Sequence, residues 1–115
     1  MASMRLMIVV LLSISALAAA DTASAARAIL ERSCIKCHGP DKQKGGLRLD
    51  SHAAVLKGGK EGEVVVAGEP EKSRLIAAIR WADEDTRMPP KQKLAEEDIA
   101  VLTEWVRAGA AWPAD

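Results

Sequence analysis

Cys34-Ile35-Lys36-Cys37-His38 is the stretch whose reading decides the fold. A helical turn puts positions 34, 37 and 38, at i, i+3 and i+4, on one face. Two thiols and an imidazole on that face suit covalent attachment of a c-type haem. Each thiol adds to one vinyl group of the porphyrin, which fixes its edge to the backbone. The imidazole of His38 then lies beneath the ring, where it can ligate the iron. Cys34 and Cys37 are the only 2 cysteines in the chain, so no thiol remains for a disulfide.

Three other readings of the motif compete. A thioredoxin-like Cys-x-x-Cys needs a strand before it and a helix after it. Here an alanine-rich helical stretch leads in and Gly39-Pro40 follows. A zinc site needs more ligands than Cys34, Cys37 and the two histidines, His38 and His52, supply as a second pair. A bare dithiol without a ligand would tend to oxidise in an exported chain. Haem is the reading favoured.

Export is itself expected from the N-terminus. Arg5 precedes the apolar run Leu6 to Leu12, and small residues follow to Ala18-Ala19-Ala20. That is the layout of a secretory signal peptide, with cleavage expected after Ala20 and Ala23-Ser24-Ala25 as a second site. The apolar stretch, residues 6–20, is shorter than the ~20 residues that span a bilayer, so membrane association is not expected after cleavage. The chain is thus divided into a signal peptide at 1–20 and one haem domain at 21–115. Its location is expected to be the periplasm or another exported site. The 16 basic residues balance 16 acidic ones, and removal of Arg5 with the leader leaves 15 against 16. Nothing in that balance argues for nucleic acid. The domain holds 3 tryptophans and no phenylalanine or tyrosine, a poor aromatic supply that a buried porphyrin would supplement.

The elements follow from periodicity and caps. Thr22 or Ser24 is expected to cap a first helix whose stripe, Ala26, Ile29, Leu30 and Ser33, continues onto Cys34 and Cys37. Gly39-Pro40 stops it, and residues 41–46 form a polar loop with lysines on a solvated face. Leu47-Arg48-Leu49 alternates and is a candidate short strand to pair with Val64-Val65-Val66. Asp50 or Ser51 caps a short helix over 52–57, ended by Gly58-Gly59. Pro70 and Ser73 open another, with Leu75, Ile76 and Ile79 inward and Trp81 near its end. The last helix, about 96 to 108, carries Ile99, Leu102, Trp105 and Val106 on one stripe, with Gly109 past its end. The fold class is all-α, a small cytochrome c-like helical domain around one haem, with at most one very short β pair.

An iron ligated by His38 on one side needs a partner on the other. Of 4 methionines only Met88 lies outside the expected signal peptide, in Arg87-Met88-Pro89-Pro90. Prolines stiffen that loop, and His/Met ligation raises a haem's reduction potential. The plainer reading of Met88 is a gap-filling core residue. Its polar, proline-bounded setting favours the ligand. His52 is the rival, on a short polar helix that suits a surface histidine. Arg48, Trp81 and Trp105 are candidates for contact with the haem propionates.

The runs CIKCHGPDKQKGGLRLDS, LKGG, VVVAGEPEKSRLIAAIRW and MPPKQKLAEEDIAVLTEWVRAGAAWP resemble the planctomycete-type cytochrome c domain, over residues 26 to about 113. By that resemblance Cys34 and Cys37 carry one haem c, His38 is its proximal ligand and Met88 its distal one. The family resembles class I cytochromes c in packing its first and last helices across each other. Its members usually carry this domain inside larger secreted or surface proteins, so the chain reads as a free-standing carrier or a fragment. They tend to have Ser or Thr where this chain has Ala95. The function expected is single-electron transfer to a redox partner protein that the sequence does not name, with no enzymatic activity of its own. The alternative is a haem enzyme or ligand sensor with a displaceable distal ligand.

Overall fold

The computed structural model describes residues 21–114; the expected signal peptide lies outside the described residues. Helix α1 covers 21–33 and buries Ala23, Ala26, Ile29 and Leu30 along one stripe. Thr22 and Ser24, expected as its caps, sit inside it, because the helix already runs at Asp21. It leaves the regular pattern at the Cys-x-x-Cys-His motif. Cys34 N–H still reaches Leu30 O at 2.9 Å, but Ile35 N–H reaches the same carbonyl at 3.2 Å, one residue too far for an α-helix. A separate turn then closes, with Cys37 and His38 N–H both donating to Cys34 O at 3.2 and 3.0 Å.

The polar loop folds back on that turn. Lys44 N–H donates to Cys37 O at 3.0 Å, Gly39 N–H to Lys42 O at 2.8 Å, and Lys44–Gly46 form a 3-10 turn. Residues 47–49 and 64–66 do not pair. Their backbone groups are committed elsewhere: Leu49 N–H to His38 O at 2.8 Å, Leu75 N–H to Val64 O at 2.9 Å. Val66 N–H goes to Ser73 Oγ at 2.9 Å. Among the described residues only two isolated bridges occur, His38 with Gln43 and Gly59 with Gly62. The class is all-α, without the short β pair.

Helix α2, His52–Lys57, has Ser51 as its cap, with Oγ accepting from Ala54 N–H at 3.2 Å. Gly58 ends it at φ +79, and a Cβ there would collide with the carbonyl of Gly62. A 3-10 turn at Pro70–Lys72 leads into α3, Arg74–Ile79. Ser73 stands at the start of α3 as expected but caps nothing. Its buried hydroxyl instead donates to Glu69 O at 2.9 Å, holding the preceding loop.

Helix α4, Glu96–Arg107, buries Ile99, Leu102, Trp105 and Val106 together with Thr103. Thr103 satisfies its hydroxyl on Ile99 O at 2.7 Å, so its burial leaves no polar atom unpaired. The buried residues of α1, α3 and α4 form one cluster with Leu49, Val55 and Val65. Arg32 at the end of α1 pairs with Asp98 at the start of α4 at 2.8 Å. The chain leaves α4 through Gly109 at φ +110 and turns back. Trp105 Nε1 then donates to Ala111 O at 2.6 Å.

The N-cap of α4 is Ala95, which makes no side-chain bond, so its three acids at 96, 97 and 98 face the helix dipole without a cap. Ala95→Ser should stabilise the protein by about 1 kcal/mol by accepting a free N–H. A denaturant midpoint that rises at unchanged slope is the expected result.

Candidate functional site

One cavity of about 390 Å³ collects Cys34, Cys37 and His38 from the motif and Met88 from a loop fifty residues further on. That volume lies in the range of small-molecule and cofactor sites. Its walls are mostly apolar. Leu47, Leu49 and Val64 come from the two extended segments, and Pro89 and Pro90 follow Met88. Helix α3 presents Arg74, Leu75, Ala77, Ala78 and Ile79 and keeps Ile76 for the core. The small residues at 77 and 78 leave the room that larger side chains would fill.

The motif is held by its backbone. The turn on Cys34 O fixes the spacing of both thiols, and His38 is clasped through its N–H to Cys34 and its carbonyl to Leu49. Gly39 is required for a steric reason. A Cβ there would run into the Ile35 carbonyl and stand 2.6 Å from Ile35 Cγ2. Both thiols are free. Burial pushes the Cys34 thiol up to about 11, with the nearby Cys37 adding to the shift, so it stays neutral at physiological pH. His38 Nδ1 is buried with no hydrogen-bond partner, an exception to the rule that buried polar atoms are paired.

Met88 is held differently. Its N–H donates to Ala78 O at 2.9 Å, and its carbonyl accepts from Trp81 Nε1 at 3.2 Å. Its side chain is 39 % exposed while still lining the cavity, which removes it from the core-filler reading. Trp81 has φ +59, a left-handed conformation that costs a non-glycine residue roughly 1–3 kcal/mol. The Arg87 guanidinium lies 4.6 Å from its ring centroid.

The rival histidine is elsewhere. His52 donates from Nε2 to Ala110 O at 3.1 Å and stacks on Trp112 with centroids 5.9 Å apart. It does not line the cavity. Neither do the three residues considered for propionate contact. Arg48 is locked onto Asp50 by bonds of 2.9 and 2.6 Å beside a separate polar hollow. Trp105 is fully buried and bonded to Ala111, and Trp81 is turned to Met88. The charged residues that do line the cavity are Arg74, paired with Glu61 at 2.7 Å, and Asp85. The one sequence signal for Arg74 is its spacing from Ala77 and Ala78, at i, i+3 and i+4 on the lining side of α3.

Two of the other readings of the motif find no support among the described residues. A helix, not a strand, precedes Cys34. Among the described residues no group of three or more His, Cys, Asp or Glu side chains could hold a metal ion. What remains is an apolar cavity with two free thiols, an imidazole whose Nδ1 is unpaired and a thioether, a donor set that suits a porphyrin and its iron. The family model described as planctomycete cytochrome C matches residues 34–92, just over half of the chain. The chain belongs to that family. No curated protein and no solved structure matches. Membership in the planctomycete cytochrome c family implies a haem c cofactor and a haem-binding cytochrome.

Gly39→Ala tests the steric argument. Overpacking of this kind costs about 1–3 kcal/mol, and here it falls on the turn that spaces the thiols. The yield of matured, haem-loaded protein should drop several-fold and its denaturant midpoint should fall. An unchanged yield and midpoint would show that the turn has room to relax.

Proposed function

We propose that this cytochrome carries a single haem, bound covalently through Cys34 and Cys37, and passes single electrons to a partner protein. His38 is the proximal iron ligand and Met88 the distal one. The observation that carries the reading is the convergence of these four residues on one apolar cavity from segments far apart in sequence. When bound, the haem supplies a one-electron couple. The chain supplies two thiols, that of Cys34 kept neutral by burial, a histidine held through both of its backbone groups, and a low-dielectric wall. With His38 and Met88 both holding the iron, no position would be open for substrate, so we assign no enzymatic activity.

Export to the periplasm or beyond belongs to the same reading, since c-type haem is usually attached across the membrane. Ala23 is buried in the core, which supports cleavage after Ala20 over cleavage after Ala25. Among the described residues no helix is long and apolar enough to cross a membrane. A second reading, a ligand sensor or haem enzyme with a displaceable Met88, draws on the exposure of that side chain.

Protein made with a cytochrome c maturation system should show, by mass spectrometry, one covalently added haem, and Cys37→Ala should retain at most one thioether bond at low yield. A wild-type mass without haem would end the proposal. Met88→Ala should keep the haem attached, lower the reduction potential and bind carbon monoxide rapidly and stoichiometrically in the reduced state. Met88→His should lower the potential while keeping the iron closed. His52→Ala should leave both properties as they are. Rapid stoichiometric carbon monoxide binding by the unaltered protein would favour the sensor or enzyme instead.

A further inference from the structure

We propose that Trp81 is the positioning residue for the distal ligand, latching the Met88 backbone so that its thioether faces the cavity; this rests on Met88 as iron ligand. The prolines that follow do not do this on their own. Pro89 keeps Met88, the residue before it, out of the helical region but does not tie its peptide groups to the rest of the fold. That tie comes from two hydrogen bonds to the peptide groups of Met88. One joins its N–H to Ala78 O at 2.9 Å, and the other joins its carbonyl to Trp81 Nε1 at 3.2 Å.

Trp81 has no other evident task. It is only half-buried and lies outside the core cluster, where Trp105 is the buried tryptophan. A large aromatic residue at φ +59 is uncommon and needs surroundings that enforce it. The N–H of Trp81 donates to Ala78 O at 3.1 Å, the carbonyl that also receives Met88 N–H. Its indole N–H reaches Met88 O, and Arg87, the residue before Met88, covers its ring at 4.6 Å. Every one of these contacts leads to the end of α3 or to the ligand loop. The left-handed residue turns the chain off α3 and swings the indole over the loop that returns seven residues later.

Imidazole affinity of the oxidised, haem-loaded protein reads the latch, because imidazole competes with Met88 for the iron. Trp81→Phe keeps the ring and removes the N–H donor. It should bind imidazole about five-fold more tightly, the effect of losing one ordinary hydrogen bond. Arg87→Ala keeps the donor but uncovers the ring, and about a two-fold tightening is expected. Met88→Ala, measured alongside, should tighten binding far more than either. A Trp81 role confined to general stability would lower the denaturant midpoint and leave imidazole affinity at the wild-type value, and that result overturns the proposal. Should Trp81→Phe fail to mature, an unchanged affinity in Arg87→Ala overturns it. Should Met88→Ala itself match the wild type, the ligand assignment falls and the latch with it. Wild-type affinity in Trp81→Phe beside a strong Met88→Ala effect removes the latch alone.

Discussion

The carbonyl oxygen of Cys34 accepts the amides of both Cys37 and His38, and the rest of the domain is arranged to hold that one turn. It sets the two thiols and the imidazole on a common face. It also ends α1, since the chain has already slipped out of helical register at Ile35. The turn is too short to persist alone, because a single turn fixes several dihedrals for one or two bonds. Its neighbours supply what it lacks. The polar loop returns Lys44 to Cys37, the first extended segment returns Leu49 to His38, and Gly39 admits the tight approach of Ile35.

The two extended segments show how a nearly helical domain builds a cavity wall without a sheet. Leu47, Leu49 and Val64 face the cavity, yet Leu49 bonds to the motif, Val64 to α3 and the nearby Val66 to a serine hydroxyl, and the two segments do not bond to each other. A paired ribbon would tie these walls together. Separate anchors let one segment follow the motif and the other follow α3. The cavity thereby sits between the part of the chain that carries the thiols and the part that carries Met88.

Much of this was legible in the sequence. The Cys-x-x-Cys-His run, Met88 in its proline-bounded loop and the stripes of α3 and α4 are local signals, and the structure brings all four candidate residues to one cavity. Alternation in Leu47-Arg48-Leu49 suggests a short strand that does not form, because periodicity reports which face is buried and not where the N–H groups go. Ser73 shows the same limit: a capping residue by type, it sits where a cap belongs and spends its hydroxyl on the previous loop. Arg48 and Trp105 were named for the cavity on chemistry alone. A partner two residues away took the first, and the turn after α4 took the second. The tie from Trp81 to Met88 spans seven residues with no regular element between them, so no period marks it.

The two sides of the cavity are built to different strengths. On the His38 side, the backbone is fastened by bonds among α1, the turn, the loop and Leu49, next to the buried core of α1 and α4. On the Met88 side, the loop hangs by two hydrogen bonds, one to the last turn of α3 and a solvent-exposed one to Trp81 just past it, and Met88 itself is exposed. Segments with few buried apolar contacts and exposed hydrogen bonds open at lower free energy than the core. The difference bears on both functional readings, since a carrier and a sensor differ in how often the distal ligand leaves the iron. If Met88 ligates the iron as proposed, that frequency would be set less by the thioether than by the backbone bonds that aim it.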